Sequence, residues 1–242
     1  MANGSFSLGR AFSEGWQAFA RNVWVAILGI LVYVGIETVI GWVPCVGPLA
    51  QLIVAGPFMG GMCVFALHLL RQANPSVGDV FAGFSKFGRY LGLYWLLFLI
   101  SIACAVPTIG VALLVGLGVG MAAGEDAGIA VGVTLGVIAV IVWYAILVRW
   151  FLAYYVVADD WEENSVFTAL KKSAQITKGS RIKLFLSLIV VGLFGIIGIL
   201  ACIVGVLLTG AVAMCATASI YQQLKQSAAG TGAQGAVTGP VR

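Results

Sequence analysis

The stretch LFLSLIVVGLFGIIGILACIVGVLLTGAVAMCATASIYQQL, Leu184–Leu224, contains no Asp, Glu, Lys or Arg. As a single helix its about 40 residues would reach ~60 Å at ~1.5 Å per residue. That is about twice the ~30 Å hydrocarbon core of a bilayer. A helix of this composition does not project into water, so the stretch reads as two spans joined by a turn near Gly198–Gly205. Four more runs are equally free of charge: Val23–Ile36, Val43–Leu67, Leu91–Ala123 and Ala127–Leu147. The whole chain of 242 residues is 61% hydrophobic and 9% charged, against roughly 25% charged in soluble domains.

These runs predict an all-α polytopic membrane protein with six transmembrane helices. The spans lie at about Val23–Val43, Val46–Leu70, Tyr90–Ala122 and Ala127–Val157, followed by the two halves of Leu184–Gln223. The apolar segment from Val23 is succeeded by further spans rather than by a small-residue cleavage site, so it reads as a span and not a secretory leader. Residues 1–226 form one membrane domain. The remainder, SAAGTGAQGAVTGPVR at 227–242, is Gly/Ala-rich and polar and reads as a disordered tail.

Basic residues set the orientation. Arg10, Arg21, Arg71, Lys86, Arg89, Lys171, Lys172, Lys178, Arg181, Lys183, Lys225 and Arg242 all fall on one side of this topology. The opposite loops carry GWVPCVG, AAGEDAG and an uncharged turn. The positive-inside rule places the basic side, with both termini, in the cytoplasm of a bacterial inner membrane. The net charge of +4 is then a topology signal. Nucleic-acid binding would call for a basic soluble domain with stacking aromatics, and the chain has none. The five cysteines form no C-x-x-C pair and read as small buried hydrophobes. A single histidine, His68, builds no metal site alone. We expect no cofactor and no metal.

The basic segments resemble one another. SLGRAFSEGWQAFARNVWVAIL from Ser7, SVGDVFAGFSKFGRYLGLYWLL from Ser76 and SVFTALKKSAQITKGSRIKLFL from Ser165 align without gaps, each ending in a span. Helical spacing groups Leu8, Phe12, Trp16, Phe19 and Val23 in the first. It groups Val77, Val80, Phe81, Phe84 and Phe87 in the second, and Val166, Phe167, Leu170 and Ala174 in the third. Polar and basic residues occupy the other faces, and each serine is placed to cap its helix. The pattern predicts interfacial amphipathic helices at about 7–21, 76–89 and 165–180, each preceding a transmembrane hairpin. Arg21, Lys86, Arg89, Lys171, Lys172, Lys178 and Arg181 are the candidate contacts to anionic lipid headgroups. The alternative is that two of the three are ordinary loops with a helical turn.

The third copy carries a resemblance. FLAYYVVADDWEENSVFTALKKSAQITKGSRIKLFL is similar to a signature of a broad family of uncharacterised bacterial integral membrane proteins. That family is itself similar to the membrane domain fused to some glycerophosphoryl diester phosphodiesterases. The matching positions are Ser165, Ala169, Ser173 and Lys178–Gly179. AVPTIG, with Pro107 and Gly110, resembles the family's Pro-Gly break, although here the two residues are not adjacent. The resemblance implies a six-span helical fold and brings no activity.

Candidate chemistry is sparse. Gly116, Gly120, Gly124, Gly128, Gly132 and Gly136 recur every four residues across the AAGEDAG turn. Small residues at this spacing let transmembrane backbones approach closely, so the third and fourth spans should pack on each other or on a partner. A phosphate-cradling glycine loop would need a preceding strand. Glu37 and Arg149 are the intramembrane ionisable residues and hence functional candidates. Their backbone depths differ by ~8 Å at ~1.5 Å per residue, within the span of two long side chains. In the other reading Arg149 snorkels to the inner interface and Glu37 is protonated or reaches outward. The acidic run Asp159, Asp160, Glu162 and Glu163 reads as a solvated link.

These features predict a non-enzymatic membrane protein, an accessory, scaffold or lipid-organising subunit. Its expected partners are membrane lipids, with a membrane-protein partner or a second copy. The alternative is a small-molecule or lipid transporter using helices broken at Pro48, Pro57 and Pro107 together with Glu37 and Arg149. A membrane enzyme acting on a lipid headgroup is the weaker third reading.

Overall fold

A computed structural model of the chain describes residues 7–44, 46–159, 165–200 and 202–237. They are helical almost throughout, with no strand among the described residues. The order is α1 (Leu8–Arg21), α2 (Val23–Gly41), α3 (Val46–Arg71), a 3₁₀ segment (Val77–Lys86) and α4 (Phe87–Ala123). Then come α5 (Glu125–Phe151), α6 (Ala153–Asp159), α7 (Val166–Ile176), α8 (Arg181–Leu200) and α9 (Cys202–Val237). Among the described residues, five stretches are long and apolar enough to cross a membrane: Val23–Gly41, Gly47–Arg71, Val77–Ala123, Glu125–Ala145 and Gly205–Ala228. α9 continues into the Gly/Ala-rich segment as far as Val237, whereas the composition predicts no fixed structure from Ser227 onward.

The prolines do not break the spans. Pro48 sits in the first turn of α3, where a missing N–H costs nothing. Pro57 and Pro107 lie inside continuous helices. Beside Pro107, the Thr108 hydroxyl donates to the carbonyls of Cys104 at 2.8 Å and Ala105 at 3.0 Å, holding local backbone acceptors in place. The fourth predicted span, in contrast, is interrupted. α5 ends at Phe151, Leu152 makes a turn, and α6 resumes with Ala153–Val157 all buried.

The three segments before the spans are helical, and each buries part of its predicted apolar set together with small residues outside that set. α1 buries Ala11, Gly15, Ala18 and Phe19, while Trp16 is 58% exposed. The 3₁₀ segment buries Val80 and Gly83 and leaves Phe81 and Phe84 outside. α7 buries Ala169, Leu170 and Ser173, with Phe167 68% exposed. Close backbone approach explains the pattern. A Cβ on Gly15 would come within 2.8 Å of the Ala216 amide nitrogen on α9. A Cβ on Gly61 would overlap the Val80 carbonyl, and one on Gly83 the Pro57 carbonyl. Small residues therefore bring α1 and the 3₁₀ segment onto the bundle backbone to backbone, and Trp16, Phe81 and Phe84 are turned outward while Phe19 stays buried. The second segment winds as 3₁₀ rather than α where it lies against α3 at these two glycines.

The predicted serine caps are realised unevenly. The Ser7 hydroxyl accepts from the Arg10 amide at 3.4 Å. The Ser76 amide donates to Asp79 Oδ2 at 3.0 Å. Ser165 makes no capping bond with its side chain. α7 instead closes at its C-terminus, where Thr177 Oγ1 donates to the Ser173 carbonyl at 2.9 Å. Gly179 follows with φ +92°, a left-handed conformation that glycine adopts without strain. This gives a physical reason for glycine in the Lys178–Gly179 pair.

Two apolar clusters hold the bundle. One joins Tyr90 and Leu93 of α4 with α6, Leu184 and Leu188 of α8, and Tyr221 and Leu224 of α9. The other joins Ala18 and Phe19 with Ile30, Phe58, Phe65 and Val212. α3 finishes beside Lys225 of α9, where Arg71 and Lys225 meet a common carboxylate; we call this the basic end. The outer halves of α4 and α5 lie beyond both clusters. They pack on each other and leave Leu114, Leu117, Met121 and Val133 exposed.

Candidate functional site at the basic end of the bundle

Asp159 terminates the buried helix α6, and the apolar run Ala153–Val157 draws it inward with it. Its side chain is 6% exposed. Arg71 Nη2 lies 2.7 Å from Oδ1 and Lys225 Nζ 2.6 Å from Oδ2, and the Tyr221 hydroxyl donates to Oδ2 at 3.0 Å. One carboxylate thus ties the ends of α3 and α6 to α9 at Tyr221 and Lys225. Burial pushes its pKa up, but hydrogen bonds from Lys225 and Arg71 outweigh this and hold the carboxyl below its ordinary 3.8. The sequence reading of Asp159 as part of a solvated link is therefore corrected. Asp160, Glu162 and Glu163 lie outside the described residues. His68, the lone histidine, pairs through Nδ1 with Asp79 Oδ2 at 2.9 Å and fastens the 3₁₀ segment to α3.

Beside this cluster, α1, the C-terminus of α3 and α9 enclose a polar pocket of about 220 Å³. Arg10, Glu14, Gln17, Arg21, Gln72, Gln222, Gln223 and Gln226 line it. Glu14 accepts from Arg10 Nε at 2.9 Å and from the Ser219 hydroxyl at 2.5 Å. Gln72 has φ 53°, and in the amide orientation that hydrogen bonding favours its carboxamide oxygen faces the Arg21 guanidinium. The Gln222 amide nitrogen is buried and has no acceptor. Glutamines scattered over three elements carry no motif, so the sequence points to this pocket only through Arg21.

The intramembrane candidates are placed apart from it. Glu37 on α2 takes its contact from Gln51 on α3, with Nε2 at 3.5 Å from Oε2. Arg149 belongs to α5, and its side chain lies outside the described residues. Nearby, Tyr33, Met59, Tyr94, Phe98, Phe151 and Tyr154 line a mainly apolar groove of about 410 Å³. Tyr154 stacks on the buried Tyr90 with centroids 6.3 Å apart. These tyrosines come from α2, α4 and α6, so no sequence spacing announces the groove.

Of the seven basic residues singled out for headgroup contact, Arg21 alone lines the polar pocket. Lys171, Lys178 and Arg181 stand exposed on and after α7; Lys86, Arg89 and Lys172 are half-buried. The glycine series closes largely upon itself. A Cβ on Gly116 would lie 3.1 Å from Gly132 Cα, and one on Gly128 would lie 2.6 Å from Gly120 Cα. Gly124 makes the turn with φ +101°. Gly136 lies beyond the seam, where an added Cβ would meet nothing within 4 Å.

No protein-family model, no curated protein and no solved structure matches the chain.

Proposed function

We propose that this chain is a six-span protein of a bacterial cytoplasmic membrane that works as a non-enzymatic accessory or lipid-organising subunit. In this reading α8 is the sixth span beside the five long apolar stretches. It runs from Arg181 to Leu200, and Gly198 packs on Gly205 and Thr209 of α9, as a tight membrane hairpin requires. The basic end, with both termini, faces the cytoplasm. The outward aromatics Trp16, Phe81, Phe84 and Phe167 sit in the lipid interface beside exposed lysines and arginines. The resemblance to uncharacterised bacterial membrane proteins agrees with this arrangement.

The observation that carries the reading is the α4–α5 hairpin. Its glycine seam is satisfied within the chain, yet its outer flanks present Leu114, Leu117, Met121 and Val133 to the surroundings. α4 alone has 37 residues, ~55 Å of helix at ~1.5 Å per residue, against a bilayer core of ~30 Å. A helix of this length must tilt steeply or be covered beyond the core. The transporter reading draws less support, because the helices that carry Pro57 and Pro107 are continuous.

Purification in mild detergent followed by native mass spectrometry tests the proposal. The expected result is a protein or lipid that stays bound in defined stoichiometry. A monomer carrying neither would contradict it.

A further inference from the structure

We propose that the aromatic groove framed by α2, α3, α4 and α6 binds the ring of a lipid-soluble quinone. The proposal stands independently of the accessory-subunit reading.

Elsewhere on the spans, Thr38, Thr108, Thr134, Ser187 and Thr209 each donate to a carbonyl of their own helix. In the groove this local solution is missing. Among the described residues, no hydrogen bond reaches the hydroxyls of Tyr33, Tyr94, Ser101 or Tyr154, all of which line it. Tyr154 is 7% exposed, and its ring is held parallel to that of Tyr90, with planes 6° apart. A buried tyrosine hydroxyl usually finds a partner, and hydrocarbon offers none. Tyr33 lies ~15 Å along α2 from Val23 and Ser101 ~21 Å along α4 from Phe87, at ~1.5 Å per residue. Both depths fall well inside a ~30 Å core, beyond the water and ester carbonyls at its surface. A ligand must therefore carry acceptors into the hydrocarbon itself. The Tyr90 hydroxyl is sealed behind this wall and takes no part.

The walls define the rest of the molecule. Tyr94 and Phe98 stack with centroids 6.1 Å apart and planes 7° apart, and Phe151 and Met59 continue the lining. The placement of Tyr94 is built into the contact between α3 and α4, because a Cβ on Gly56 would come within 2.8 Å of Tyr94 Cβ. Aromatic faces and edges favour a flat conjugated ring. The volume of about 410 Å³ lies within the ~300–1,000 Å³ of small-ligand sites. A quinone combines a flat ring, carbonyl acceptors at its edges and a tail that brings it in through the bilayer. A phospholipid acyl chain supplies the tail alone and would leave the hydroxyls unpaired.

The test uses the full-length protein in nanodiscs, with empty nanodiscs subtracting partition into lipid. The probes are decylubiquinone and decylbenzene, which shares the tail and has a ring without carbonyls; the amount retained on sedimented discs is measured. We expect saturable decylubiquinone binding, with decylbenzene weaker by roughly tenfold or more. Tyr94→Phe and Tyr154→Phe each remove one hydroxyl and should weaken quinone binding roughly three- to tenfold, as for loss of a hydrogen bond, and the double variant more than either. Both variants keep the ring and lose an unpaired polar group, so the ligand-free fold should be as stable as wild type, which separates binding from folding. Tyr144→Phe, outside the groove on α5, should match wild type. The proposal is overturned if decylubiquinone shows no saturable binding above empty nanodiscs. It is equally overturned if decylbenzene binds as tightly, which would mark an apolar chain as the occupant, or if the double variant binds the quinone as well as wild type.

Discussion

Replacing Asp159 with alanine is expected to destabilise the protein by about 2–3 kcal/mol. Breaking a fully buried ion pair costs ~3–5 kcal/mol because a charge is stranded. Here the stranded partners are Arg71 and Lys225, whose side chains are 41% and 45% exposed, so water recovers part of the loss. The exposed pair Arg10–Glu14, with side chains 72% and 36% exposed, is the comparison. An exposed pair of this kind contributes less than ~1 kcal/mol. Reversible denaturant titration in bicelles measures both. The Asp159 effect should also depend on pH. Its folded-state pKa lies below the ordinary 3.8, so its contribution is present above that value and is lost as pH falls through the lowered one. Wild type and Asp159→Ala should therefore converge in acid; a gap that stays constant would show that the carboxylate's charge is not what stabilises the cluster.

The second large effect concerns the approach of α3 to the 3₁₀ segment. A Cβ on Gly61 overlaps the Val80 carbonyl, and no flexible side chain is there to yield. Overpacking against ordinary core neighbours costs ~1–3 kcal/mol, and displacing backbone should reach or exceed the upper end. Gly61→Ala is expected to loosen the 3₁₀ segment and its His68–Asp79 bond, detectable as faster amide exchange over residues 77–86. Gly35→Ala is the opposite control. It lies in α2 with nothing within 4 Å of the added Cβ, and replacing a helical glycine gains roughly 0.5–1 kcal/mol. Equal behaviour of the two variants would contradict the close packing at Gly61.

What was legible in the sequence follows from the range of the signal. The glycine seam was readable because its partners flank one turn at Gly124, so spacing alone pairs Gly116 with Gly132 and Gly120 with Gly128. The long apolar stretches were readable by length and composition. The inward faces of α1, the 3₁₀ segment and α7 were legible at Phe19, Val80 and Leu170 but not at Ala11, Gly15, Gly83 and Ala169, which are buried for their small size and give little hydrophobic signal. Asp159 and the polar pocket were hidden because their partners sit on α1, α3 and α9, far apart in the chain. Nothing in an acidic run tells a solvated carboxylate from one carried inward by a buried helix.

The membrane topology is tested most directly by labelling single cysteines in intact cells with an impermeant maleimide, after the native cysteines have been replaced. A thiol at Glu125, on the α4–α5 turn, should react from outside. One at Lys171, on the exposed face of α7, should react only once the membrane is opened. Labelling of both from outside, or of Lys171→Cys alone, would contradict a multi-span protein whose basic end faces the cytoplasm.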